Sequence, residues 1–107
     1  MIGSIVKVIV DRPKGSTHPN WQDLHYPINY GFVENTLAPD GEEMDAYILG
    51  VDEPIKEFVG RVIAIIHRLD DVEDKLVVAP NNINFTKEEI EKLTRFQEQH
   101  FTTKIEI

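Results

Sequence analysis

Apolar and polar positions alternate from Ile2 to Asp11, with Val6, Val8 and Val10 on one face, so a strand is expected there. Arg12-Pro13-Lys14-Gly15 ends it. Ser16 to Pro27 has no such period and reads as an irregular loop anchored by its aromatics, including Trp21 and Tyr26. A second strand is expected over Asn29–Glu34 and a third over Ala46–Leu49. The turn between them, Pro39-Asp40-Gly41, has a mechanism: Pro sets φ, Asp bonds its own backbone, and Gly accepts positive φ. Val59 to Ile66 is nearly continuous in apolar residues, which predicts a strand buried on both faces, and Lys75–Val78 returns beside it as a hairpin.

One helix announces itself. Thr86 can cap the first turn while Glu89, three residues on, reaches back to complete a capping box, and Phe85 and Ile90 stand where a hydrophobic staple belongs. Ile90, Leu93 and Phe96 or Gln97 form the inward stripe, placing the helix across one opening of the sheet. Lys104–Ile107 is a terminal strand candidate. About five strands with one late helix predict a mainly β fold with one C-terminal α-helix: a small closed or partly closed β-barrel of the oligonucleotide-binding-fold kind, with a half-open antiparallel sandwich as the alternative.

A chain of 107 residues is expected to be a single domain, spanning 1–107, able to bury one ordinary core. No repeat or low-complexity tract interrupts it. The net charge of −8 argues against nucleic acid or anionic membrane as partner, because counterion release needs clustered Lys and Arg. An anionic ligand would have to enter as a metal complex. The start lacks a secretory pattern, the longest apolar run, Val62–Ile66, is far below spanning length, and cysteine is absent, so a soluble cytoplasmic protein is expected.

The chemistry concentrates in two acidic knots. Asp40-Gly41-Glu42-Glu43-Met44-Asp45 puts four carboxylates into six positions, and Asp70-Asp71-Val72-Glu73-Asp74 follows the long apolar run. Acids this close repel unless protons or cations neutralise them. Gathered on one rim, they would form an all-oxygen cage for hard divalent cations, and the competing reading is two solvated turns. The four histidines show no metal-ligand spacing.

Tyr26-Pro27-Ile28-Asn29-Tyr30-Gly31-Phe32, the Asp40–Asp45 motif and the run from Asp70 to Pro80 occur in one order that resembles the soluble family I inorganic pyrophosphatases. The resemblance extends from about Val6 to Phe101. It implies Mg²⁺, with Mn²⁺ as an alternative, held by Asp40, Asp45, Asp70 and either Glu73 or Asp74, the choice depending on where a deletion falls before Lys75. It places Glu42 at the position of the aspartate that orients or deprotonates the attacking water, on an arm one methylene longer. Tyr30 and Lys75 match residues that bond phosphate oxygens, and their plainer readings are a core aromatic and a surface lysine. Asp11 matches a supporting glutamate, or else caps its strand.

The departures are specific. Between Pro13 and Tyr26 the family usually carries a longer hairpin with a lysine, an acid and an arginine that grip phosphate, and its Tyr-Lys pair near the C-terminal helix is His100-Phe101 here. Arg12, Lys14 and Arg68 are the cations left to substitute. The expected function is therefore Mg-dependent hydrolysis of pyrophosphate to two phosphates by metal-activated water, with the substrate entering as a metal complex. Alternatives are hydrolysis of a nucleotide or other organic diphosphate, or a non-catalytic metal-binding relative. The resemblance also implies a homo-oligomer, with an apolar patch around Val59 or Phe101 as its contact.

Overall fold

The alternating segments become strands in the computed structural model, which describes residues 1–36, 41–71 and 73–107. In chain order they are β1 (Ile5–Arg12), β2 (Asn29–Val33), β3 (Met44–Ile48), β4 (Glu57–Arg68), β5 (Asp74–Ala79), helix α1 (Lys87–Glu98) and β6 (Thr103–Glu106). The sheet order is β1-β2-β3-β5-β4-β6, and β1 also pairs with β4. Five strands thus close a barrel and β6 extends from it. Closure depends on the length of β4: Glu57–Arg61 pairs with β1, while Ile65–Arg68 pairs with β6 farther along. Among the described residues the one parallel pair is β3 with β5, and β4 makes the crossover between them. The half-open sandwich is ruled out by this closure.

A bulge in β4 sorts the core into two. Val62 pairs with Val78 and Ala64 with Val77, so Ile63 is an extra residue that turns the strand's following side chains to the other face. Val62 joins Val8, Val33, Ala46, Ile48, Leu76 and Val78, drawn from all five strands, and this cluster fills the barrel. Ala64 and Ile66 join Tyr30, Tyr47, Val77, Ile90 and Ile105 in a second cluster outside it. The helix therefore lies on the outer face of the barrel wall, not across an opening. Its capping box is formed as expected, with Glu89 N–H donating to Thr86 Oγ1 at 3.1 Å and Thr86 N–H to Glu89 Oε1 at 2.9 Å.

The β4 run is not buried on both faces along its length. Its residues alternate between buried and partly buried, and Val59 is 61% exposed, because the helix and β6 cover only the second half. Gly31 is required where β1 and β2 cross: a Cβ there would sit 1.9 Å from the Ile9 carbonyl oxygen.

Candidate functional site

Asp45 and Lys75 are partners in the parallel register of β3 and β5. Their side chains share a face with Tyr47 and Val77, on the outside of the barrel. Lys75 is 3% exposed, and its Nζ donates to Asp45 Oδ2 at 2.7 Å and to Glu73 Oε2 at 2.6 Å. Glu73 immediately precedes β5 and, two residues from Lys75, returns to the same side. The Tyr30 hydroxyl, from β2, donates to the same Asp45 oxygen at 2.7 Å. Burial, and then the Asp45 charge, push the Tyr30 hydroxyl well above its ordinary pKa, so it remains a donor.

A second network backs the first. Arg68 ends β4 and donates through Nε and Nη2 to Glu98 at 3.0 and 2.7 Å, while Nη1 reaches Glu73 at 3.4 Å. Its guanidinium carbon lies 3.7 Å from the centre of the Phe101 ring. Burial opposes the Arg68 charge, but the Glu98 hydrogen bonds and charge outweigh it and raise its pKa. Tyr47 donates to Glu98 at 2.5 Å, Gln97 Nε2 to the Tyr47 hydroxyl at 2.8 Å, and the Tyr26 hydroxyl to Gln97 at 2.9 Å. The helix is thereby tied to the wall that presents Asp45 and Lys75.

The acids named from the sequence separate into groups. Asp45 and Glu73, far apart in the chain, converge on Lys75. Asp70 instead accepts from Thr102 N–H at 3.1 and 3.2 Å, fastening its turn to the segment before β6. Asp74 pairs with His67 Nδ1 at 3.1 Å, and His67 Nε2 meets Glu106 at 2.9 Å. Asp11 is the last but one residue of β1, where partial burial raises its pKa, Arg12 lowers it, and the field of Asp45 adds to the rise. Asp40 lies outside the described residues. Among the described residues no three acid or histidine side chains are arranged to hold one ion.

Two cavities meet at this cluster. The smaller, ≈ 260 Å³, is lined by Phe32, Glu42, Glu43, Asp45, Glu73, Asp74 and Lys75. The larger, ≈ 670 Å³, shares Asp45, Glu73 and Lys75, and adds Tyr30, Arg68 with its stacked Phe101, and Trp21 and Leu24 from the loop before β2. Of the three substitute cations, only Arg68 reaches this cleft, since Lys14 bonds the Asp52 carbonyl at 2.9 Å and Arg12 turns to its neighbour Asp11. The Glu98 partnership was missed from sequence. Its signal is a charged residue four positions after Thr94 and eight after Ile90, on the inward stripe of α1, which requires a buried counter-charge.

The inorganic pyrophosphatase family model matches residues 3–106. The chain belongs to that family. An inorganic pyrophosphatase of Neisseria meningitidis is 30% identical over 141 aligned positions, covering 97% of this chain and 79% of the relative. The alignment is longer than this chain, so the relative carries insertions that this family member lacks. One from Campylobacter jejuni is 32% identical over 88 positions, 75% of this chain and 51% of that protein. Among solved structures, the Ehrlichia chaffeensis inorganic pyrophosphatase superposes with a TM-score of 0.74 at 15% identity, covering 99% of this chain and 87% of the other. The Neisseria gonorrhoeae inorganic pyrophosphatase gives 0.65 at 23%, covering 88% and 72%. At those identities the structures speak for the fold.

Proposed function

We propose that this chain is an inorganic diphosphatase: it splits pyrophosphate to two phosphates with a divalent cation, Mg²⁺ by preference. The family match over residues 3–106 supports the activity, and the observation that carries the site is the convergence of Asp45 and Glu73 on Lys75 beside Tyr30. The donor set is all oxygen, which suits a hard cation. Mg²⁺ commonly takes one or two carboxylates and completes its shell with water and substrate phosphate, so Asp45 with Glu73 fits that habit better than an all-protein cage. When bound, the ion lowers the pKa of water and neutralises charge on the transferred phosphoryl group.

The remaining roles belong to the chain. Glu42, on the wall of the smaller cavity, takes the proton of the attacking water. Tyr30 and Lys75 present donors to phosphate oxygens from rigid strands, fixing the electrophilic phosphorus for in-line attack. Asp40 would join the metal ligands, with Asp70, Asp74 and Asp11 shaping the field around them.

The 107 residues are proposed to act as one unit in the cytoplasm. Ile5 and Val59, exposed on the adjoining strands β1 and β4, are proposed as the contact between copies in a homo-oligomer. No described helix is long and apolar enough to cross a membrane.

Calorimetry tests the proposal. Heat of binding with Mg²⁺ and then with imidodiphosphate is expected, and both are expected to fall sharply in Asp45→Asn. A cation heat without any analogue heat would favour the reading in which phosphate capture is lost, for which the engagement of Lys75 and Arg68 by acids is the supporting observation.

A further inference from the structure

We propose that the larger cleft receives the flat aromatic body of a nucleoside diphosphate whose phosphoanhydride lies at Asp45, Glu73 and Lys75; this rests on the hydrolytic reading above. The first argument is size and continuity. A cleft of ≈ 670 Å³ falls in the range that holds organic ligands, about 300–1,000 Å³, and the few atoms of pyrophosphate leave most of it unfilled. Because Asp45, Glu73 and Lys75 line both cavities, a substituent on the phosphate held there projects into the larger one.

The second argument is the chemistry of the far wall. Between Gly15 and Ile28 the chain has no lysine or arginine, so the loop offers nothing to grip a second anionic group. It offers aromatics instead. Trp21 is 65% exposed, yet its ring rests on His18 at 4.5 Å between centroids and 31° between planes, and His18 stacks in turn towards buried Tyr26 at 6.4 Å and 15°. The loop holds this stack: Asn20 N–H donates to His18 Nδ1 at 3.0 Å, and Leu24 N–H to the Trp21 carbonyl at 3.0 Å. A large indole kept in solvent on a braced stack is the platform on which a nucleobase lies. Arg68, which also lines the cleft, is held on every side by acids, Nε and Nη2 by Glu98 and Nη1 by Glu73 and Asp71, so the loop aromatics are what the cleft offers a ligand body.

In the reaction, water oxygen bonds to the terminal phosphorus and the bond from that phosphorus to the bridging oxygen breaks. The electron pair leaves with the nucleoside monophosphate, and one proton of the water is released through Glu42. The products are inorganic phosphate and the monophosphate.

Trp21 is the single tryptophan, so its fluorescence reports the cleft without any turnover. With Mg²⁺ present, α,β-methylene-ADP is expected to quench the emission saturably and imidodiphosphate to leave it unchanged. In turnover, Trp21→Ala should lower kcat/KM for ADP, relative to that for pyrophosphate, by roughly ten-fold or more. Equal responses to the two analogues would overturn the proposal. So would quenching by farnesyl diphosphate but not by the ADP analogue, or an emission change that follows protein concentration alone, which would assign Trp21 to a contact between copies. ADP-analogue quenching in a protein that releases no phosphate from any diphosphate would sink the hydrolytic reading and keep the binding site.

Discussion

Asp45 and Lys75 sit opposite one another in the parallel β3–β5 ladder, with 2.7 Å between Oδ2 and Nζ, and Lys75 is almost wholly buried. The same ammonium holds Glu73 at 2.6 Å. Two acids separated by a strand crossover therefore share one cation that the fold itself provides, which leaves the group with a net negative charge.

Removing that cation separates its structural from its chemical role. Lys75→Met leaves two neighbouring carboxylates with only Arg68 Nη1, on Glu73, as counter-charge, and since both acids are about one-third exposed the loss should be moderate, about 2 kcal/mol. Thermal unfolding in EDTA should show the deficit, and excess Mg²⁺ should recover most of it. A deficit equal in both conditions would mean that these carboxylates do not receive the ion.

Glu98 is the counter-charge of Arg68 and the acceptor of Tyr47, at 6% exposure. Glu98→Gln leaves a buried guanidinium short of its partner, and a cost of about 3 kcal/mol is expected in denaturant unfolding. Tyr47→Phe, which removes the hydroxyl's bonds to Glu98 and from Gln97 but leaves no charge unpaired, should cost less, about 1.5 kcal/mol. Comparable losses in the two variants would contradict the assignment of Glu98 as the keystone of that network.

His67 stands between Asp74 and Glu106 and joins β5 and β6 to β4. Its hydrogen bond to Glu106, then the Asp74 charge, outweigh partial desolvation and raise its pKa above the usual 6.5. A raised folded-state pKa favours the protonated native form: the contribution is complete below about 6.5, where the unfolded chain is also protonated, and disappears as pH climbs through the folded value. The Tm gap between the wild type and His67→Gln should accordingly be widest near pH 6 and narrow towards pH 8. A gap that grows with pH would refute the charged bridge.

Gly31→Ala places a methyl group against the Ile9 carbonyl oxygen at 1.9 Å, where the β1–β2 ladder leaves no room. A loss on the order of 4 kcal/mol or failure to fold is expected, read by circular dichroism and Tm. A near-neutral result would show that β1 and β2 can part without cost.

What could be read in advance was what local pattern encodes. Strand alternation, the Thr86–Glu89 box and the late helix are short-range signals, and each formed where the sequence put it. The side of the barrel taken by the helix was not legible, because it depends on the bulge at Ile63, and a single extra residue reverses which apolar set faces inward without altering composition. The same limit applies to the acids. Runs such as Asp70–Asp74 state that charges are near in sequence, yet neighbouring residues on a strand point apart, so Glu73 turns to Lys75 while Asp74 turns to His67. The Arg68–Glu98 pair joins residues thirty apart, and only the inward position of Glu98 hinted at it.

Phosphate release from pyrophosphate in Mg²⁺, compared between the wild type and Asp45→Asn, bears most directly on the hydrolytic account. Steady turnover by the wild type, reduced about 100-fold or more by removal of one carboxylate charge, is the expected result. Release at the same background rate from both proteins, with the variant folded, would contradict it.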